Sequence, residues 1–364
     1  MKLKSIQALR ALAAVLVAYS HSIDLQTRFG ASRQQGFHAL ANFGAIGVDL
    51  FFVISGFVIT FAASADVGPR AARRFFAKRF LRVNPIYYLA SALYVVVNAL
   101  LFVRTTLELD MWLVLLRSGI VDTLLVVPSS AKPLGYNPLL VVGWTLAFEW
   151  LFYVLFLLLI LLRVRRKEPA LMLLLAFLVL GGSLLHGDDQ RLRFLTNPIV
   201  LEFLLGVAIC VLHRHAASLA RWLPLACLVG GVAAYGYSIR FGFGDVSEVI
   251  PTWSGRVGIE RVVRWGIPSA LIVAGCVLLE IRGYLHCLWG NRLLQLTGDA
   301  SYSLYLLHLT VYSVLGFLYT RIGFFLPPDL AVLFQLGLAV AISVAFYRRV
   351  EQPLLQALYA RALV

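Results

Sequence analysis

The chain has little charge and little cysteine. Only 14% of its 364 residues are Asp, Glu, Lys or Arg, where a soluble domain carries about a quarter, and this excludes an ordinary water-soluble fold. The four cysteines, Cys210, Cys227, Cys276 and Cys287, show no paired spacing, so neither a disulfide framework nor a metal site is indicated. No polar stretch is long enough to bury a core of its own. The sequence also lacks a clear repeat, a low-complexity segment and a G-x-S-x-G elbow, which argues against an intramembrane serine hydrolase built on Ser55-Gly56.

What the chain has is apolar length. Hydrophobic residues make up 60% and mean hydropathy is +0.84. Runs of membrane-spanning length recur from end to end, which predicts an all-α, polytopic membrane helix bundle. Ten spans are expected, at approximately 6–24, 42–64, 85–104, 138–162, 169–186, 197–213, 220–238, 264–281, 301–320 and 329–347. Residues 107–127 are also apolar, but Glu108, Asp110, Arg117 and Asp122 interrupt them, and an interfacial or re-entrant segment is expected there. One membrane domain is read over residues 1–355, with a short cytoplasmic tail at 356–364.

The net charge of +14 serves helix orientation and anionic lipid rather than nucleic acid. With the N-terminus inside, 20 of the 32 Lys and Arg residues fall in inner segments and 12 in outer ones, so both termini are expected in the cytoplasm. The basic start MKLK and the small triplet Ala18-Tyr19-Ser20 imitate a signal peptide, but retention of the first span as an anchor is expected.

Polar residues inside the spans are the chemical signal. Arg10 and His21 are eleven residues apart, almost three full turns, and so lie on one stripe about 16 Å apart. Ala14 and Val17 lie between them, which predicts a shallow groove. In PRAARRFFAKRFLRVNPIYYL, Asn84-Pro85 reads as an N-cap and first helical residue. Lys78, Arg79 and Arg82 share a face just before it, a pattern suited to phosphate. Asp49 and Glu149 are carboxylates deep in spans, and burial in lipid requires that they face the bundle interior or a wet cavity. Thr145, Glu149 and Tyr153 form an i, i+4, i+8 stripe. Ser301, Tyr305, His308 and Tyr312 share another helical face. Glu351, just past the last span, can pair with inner arginines.

Together these stretches resemble the acyltransferase family 3 integral membrane proteins. The elements are Arg10 and His21 at their spacing, GVDLFFVISGF at 47–57, KRFLRVNPIYY at 78–88, GWTLAFEWLFY at 143–153 and ASYSLYLLH at 300–308. The resemblance covers Gln7 to Pro353 and is most like the exopolysaccharide O-acetyltransferase branch. Two positions depart from the family pattern: Thr145 stands where serine is frequent, and Ala11 where glycine often follows the arginine.

The resemblance implies acyl transfer from acyl-CoA, with acetyl-CoA the expected co-substrate and no permanently bound cofactor or metal. The acceptor would be a hydroxyl of a cell-surface or exported polysaccharide or its lipid-linked precursor, and the location a bacterial cytoplasmic membrane. Arg10, Arg79 and Arg82 would bind acyl-CoA, with its pantetheine arm along the groove toward His21. His21 would be the general base or form an acyl-histidine. Asp49, nearer the depth of His21 than Glu149, would orient the ring. Trp144, Tyr153, Ser301, Tyr305 and His308 would contact substrate or the developing oxyanion. The alternative is a transporter or flippase of a lipid-linked saccharide, which paired broken spans would favour.

Overall fold

The computed structural model describes residues 3–29, 36–103, 106–126, 138–184, 189–242, 244–323 and 326–362, and among these there is no strand. The first half contains α1 (Lys4–Phe29), α2 (Ile46–Ala63), α3 (Pro69–Phe102), α4 (Thr106–Leu125), α5 (Trp144–Leu161) and α6 (Lys167–Leu184). Next come α7 (Gln190–Leu195), α8 (Leu201–Arg214), α9 (Leu223–Phe241), α10 (Val249–Trp253), α11 (Gly258–Arg261) and α12 (Ile267–Ile281). The chain ends with α13 (His286–Trp289), α14 (Arg292–Asp299), α15 (Ser301–Ile322), α16 (Pro328–Phe346) and α17 (Gln352–Ala362). A π-helical turn at Val262–Gly266 leads into α12, and another at Tyr347–Glu351 joins α16 to α17.

Eight stretches among the described residues are long and apolar enough to cross a membrane: Lys4–Arg28, Asn42–Ala63, Pro69–Phe102, Val141–Leu161, Arg191–Arg214, Gly258–Ile281, Ser301–Ile322 and Pro328–Arg361. The chain is an all-α, multi-pass membrane protein. Of the ten expected spans, those at 169–186 and 220–238 form α6 and α9, helices of 18 and 19 residues that are not among the eight. The charged segment at 107–127 forms α4, a helix of 20 residues that is likewise outside the eight.

Pro85 does not start a helix. α3 runs through it from Pro69 to Phe102. The Asn84 side chain donates to the Tyr88 hydroxyl at 2.7 Å instead of capping, and Tyr88 donates to the Leu124 carbonyl on α4 at 2.7 Å. A proline removes one backbone donor, a loss that membrane helices tolerate where neighbouring groups satisfy the freed carbonyl.

Two compact units divide the chain. The first comprises Met1–Ala13, Ile46–Arg79 and Phe148–Gly298; the second comprises Ala14–Ala45, Phe80–Ala147 and Asp299–Val364. In the first, α2 crosses α8 at two glycines. A Cβ on Gly56 would stand 2.2 Å from the Phe203 carbonyl oxygen, and one on Gly206 would stand 2.1 Å from that of Val53. This is the close approach that small residues permit where lipid supplies no hydrophobic drive for helix association. Phe203 then stacks on Phe52 and Phe152, with ring centres 4.7 and 4.9 Å away.

In the second unit, polar bonds fix α1 to its neighbours. Ser22 donates to Gln335 on α16 at 2.6 Å, the Gln26 amide to the Pro328 carbonyl at 2.5 Å, and the Tyr312 hydroxyl on α15 to the Ala18 carbonyl at 3.0 Å. These bonds set the rotation of α1 about its axis, and hence where His21 points.

Candidate functional site

His21 lies on the wall of a cavity of about 540 Å³ in the second unit, lined also by Asp24, Arg28, Tyr94, Asn98 and Tyr312. Its Nδ1 is 3.2 Å from the Asp24 carboxylate, one helical turn further on. With Asp24 accepting from Nδ1–H, the Nε2 lone pair remains for chemistry, and no hydrogen bond to it occurs among the described residues. The sequence reading had Asp49 orienting this ring; the carboxylate that the structure places on it is Asp24. Spacing alone could have found Asp24, since i and i+3 are neighbours on a helix.

His308 stacks on His21, with ring centres 5.1 Å apart and planes inclined by 27°. It is fully buried, its Nδ1 lies 3.0 Å from the Leu304 carbonyl, and its Nε2 has no hydrogen-bond partner among the described residues. Tyr305 and Tyr312 pack on the His308 ring at 6.3 and 5.9 Å. The face Tyr305–His308–Tyr312 therefore points inward as expected, although the proposed donor role of Tyr305 is not free. Its hydroxyl donates to the Val142 carbonyl at 2.8 Å and lies 2.7 Å from Thr145 Oγ1. Trp144, one turn from Val141 at the cavity, is buried, and so is Ser301, whose hydroxyl has no hydrogen-bond partner among the described residues.

Arg82 also differs from expectation. It donates to the fully buried Glu351 at 2.5 Å, and Ser303 donates to the other oxygen of that carboxylate at 2.5 Å. The guanidinium lies over the Tyr302 ring at 5.6 Å. The pairing of Glu351 with an inner arginine was expected from the sequence; its partner is one of the three residues assigned to acyl-CoA. With α3 continuous, the helix N-terminus assigned to phosphate at Pro85 is absent as well. The groove is corrected too: Ala14 and Val17 are 0% and 4% exposed, so the small residues between Arg10 and His21 are covered and form no open groove among the described residues.

The first unit holds the remaining candidates. Glu149 accepts from Ser55 at 2.8 Å and from the Tyr153 hydroxyl through the same oxygen. Arg79 lies 5.6 Å over the Tyr153 ring and 5.5 Å over Phe75, a cation–π arrangement suited to a guanidinium. Arg10 is half-buried on α1. Asp49 is fully buried and gripped by Arg261 through two nitrogens, at 3.0 and 2.8 Å. Arg261 also donates to the Val246 carbonyl at 2.7 Å and lies 5.0 Å over Trp265. A second buried carboxyl, Glu202 on α8, lies beside Asp49. Arg261 falls between the expected spans at 220–238 and 264–281, and the pair is not legible in the sequence because 212 residues separate the partners.

No cluster of three or more potential metal ligands occurs among the described residues. The acyltransferase domain family matches residues 3–348. The exopolysaccharide production protein ExoZ of Rhizobium meliloti is 32% identical over 90% of this chain and 94% of its own length. The acyltransferase MdmB of Streptomyces mycarofaciens is 24% identical over 85% of this chain and 79% of its own length. No solved structure gives a significant match.

Proposed function

The chain belongs to the acyltransferase domain family and is a membrane acyltransferase; on that premise we propose that it moves an acyl group, acetyl being the expected one, from acyl-CoA to a hydroxyl of a saccharide. The observation that carries this reading is His21: an imidazole on the wall of a roomy cavity, held by Asp24 at Nδ1, with Nε2 unengaged. A cavity of about 540 Å³ falls within the usual 300–1,000 Å³ of small-molecule sites. The likeness to an exopolysaccharide production protein supports a polysaccharide or its lipid-linked precursor as acceptor.

In the proposed reaction His21 Nε2 takes the proton of the acceptor hydroxyl as its oxygen attacks the thioester carbonyl. The C–S bond breaks, the new C–O ester bond remains, and the CoA thiolate takes the proton from His21. Asp24 positions the ring and favours the imidazolium that forms midway. Arg79 is the proposed contact for the CoA phosphates, since the neighbouring Arg82 is engaged by Glu351. The proposed location is a bacterial cytoplasmic membrane, with both termini inside.

The test is acetyl transfer from labelled acetyl-CoA by purified protein to surface polysaccharide from a deletion strain. Ester-linked label on the polysaccharide is the expected result. Transport of lipid-linked saccharide without any transfer would reverse the reading.

A further inference from the structure

Arg28 stands two turns beyond His21 on α1 and lines the same cavity, about 10 Å further along the helix axis. Asp24, between them, is turned to His21 Nδ1, and among the described residues no carboxylate pairs with Arg28. Arg28 is therefore an uncommitted cation on a wall that otherwise offers hydroxyls, an amide and the aromatic rings of Tyr94 and Phe102. Hydroxyl-bonding groups beside aromatic faces suit sugar rings, and a guanidinium adds a fork for a planar oxyanion. Attraction to Arg28 and repulsion by Asp24 both scale with the charge of the ligand, whereas the hydration it gives up scales with the square of that charge, so a monoanionic carboxylate suits this site better than a dianionic phosphate.

We propose that the acceptor is an acidic saccharide, whose carboxylate-bearing residue docks on Arg28 while a hydroxyl about 10 Å away is presented to His21. This rests on the reading of the cavity as the acceptor site. Arg28 is then a specificity-determining residue. Its place in the last turn of α1 also complements the helix dipole, a role that would affect stability but not the discrimination between acidic and neutral sugars.

The experiment titrates the full-length protein in detergent with glucuronate, glucose and glucose 1-phosphate, read by saturation-transfer NMR. Glucuronate should bind about two- to fivefold tighter than glucose, the range of a partly exposed charge pair, and glucose 1-phosphate should bind less tightly than glucuronate. Arg28→Gln should bind glucose as before and lose the preference for glucuronate, and Arg28→Lys should keep part of it. An equal affinity for glucuronate and glucose, a preference unchanged in Arg28→Gln, tightest binding of glucose 1-phosphate, or no saturation of any sugar would each overturn the proposal. His21→Gln separates the two readings: it should keep the preference while losing transfer, and normal transfer by that variant would remove the catalytic reading alone.

Discussion

Arg261 and Asp49 form a two-nitrogen ion pair, at 3.0 and 2.8 Å, with the side chains 1% and 0% exposed. A buried pair of this kind is costly to break from one side, because the remaining charge has neither water nor partner. Arg261→Met should therefore destabilise the protein by about 3–5 kcal/mol, while Asp49→Asn, which keeps volume and hydrogen-bonding capacity, should cost less. Thermal unfolding in detergent checks both. If Asp49→Asn keeps wild-type stability yet loses all transfer, the carboxylate acts in the chemistry and not only in the fold.

The dyad of His21 and Asp24 sets the second expectation. His21→Gln keeps size but cannot cycle a proton, and should lose about 10²–10⁴-fold in kcat. Asp24→Asn should lower kcat by less, with KM for acetyl-CoA unchanged, because it orients the ring without touching the donor. Wild-type turnover by His21→Gln would return this residue to an ordinary interfacial role.

Arg79 and Arg82 should now behave differently. Arg82→Ala strips Glu351 of its ion pair and should lower stability with CoA affinity intact; Arg79→Ala should weaken CoA binding in protein that still inserts. A double-mutant cycle on Arg82 and Glu351 should show coupling of roughly 0.5–3 kcal/mol. Additive single effects would mean that the pair contributes nothing.

The α2–α8 crossing is testable by size alone. Gly206→Val places side-chain atoms where a Cβ already stands 2.1 Å from the Val53 carbonyl. Overpacking of this type costs about 1–3 kcal/mol or more, so the yield of monodisperse protein should fall sharply. Gly181→Ala, where nothing among the described residues lies within 4 Å of the added Cβ, is the control and should behave as wild type.

Topology is the fifth expectation. Reporter fusions at the exposed Arg165 and at the C-terminus should both read cytoplasmic, as the bias of basic residues requires. A periplasmic signal at either site would reverse the proposed orientation of the donor site.

The sequence by itself determined the fold class, because a membrane interior admits helices as the only open-ended way to satisfy every backbone group, and twenty apolar residues announce one. It also marked the candidate residues, since His21, Asp49, Glu149 and His308 stand out as polar against apolar neighbours, and it anticipated that Glu351 would meet an arginine. Which residue meets which was decided only in three dimensions. Asp49 met Arg261 across 212 positions, His21 met Asp24 on its own helix, and Arg82 met Glu351 instead of remaining open to a phosphate. Pro85 reads locally as a helix start, but local propensity is worth only a few kcal/mol, and hydrogen bonding and packing along α3 outweigh it. The stripe of Ala14 and Val17 reads as a groove for the same reason in reverse: a helix shows which side chains are small, and only its neighbours decide whether the space beside them is filled.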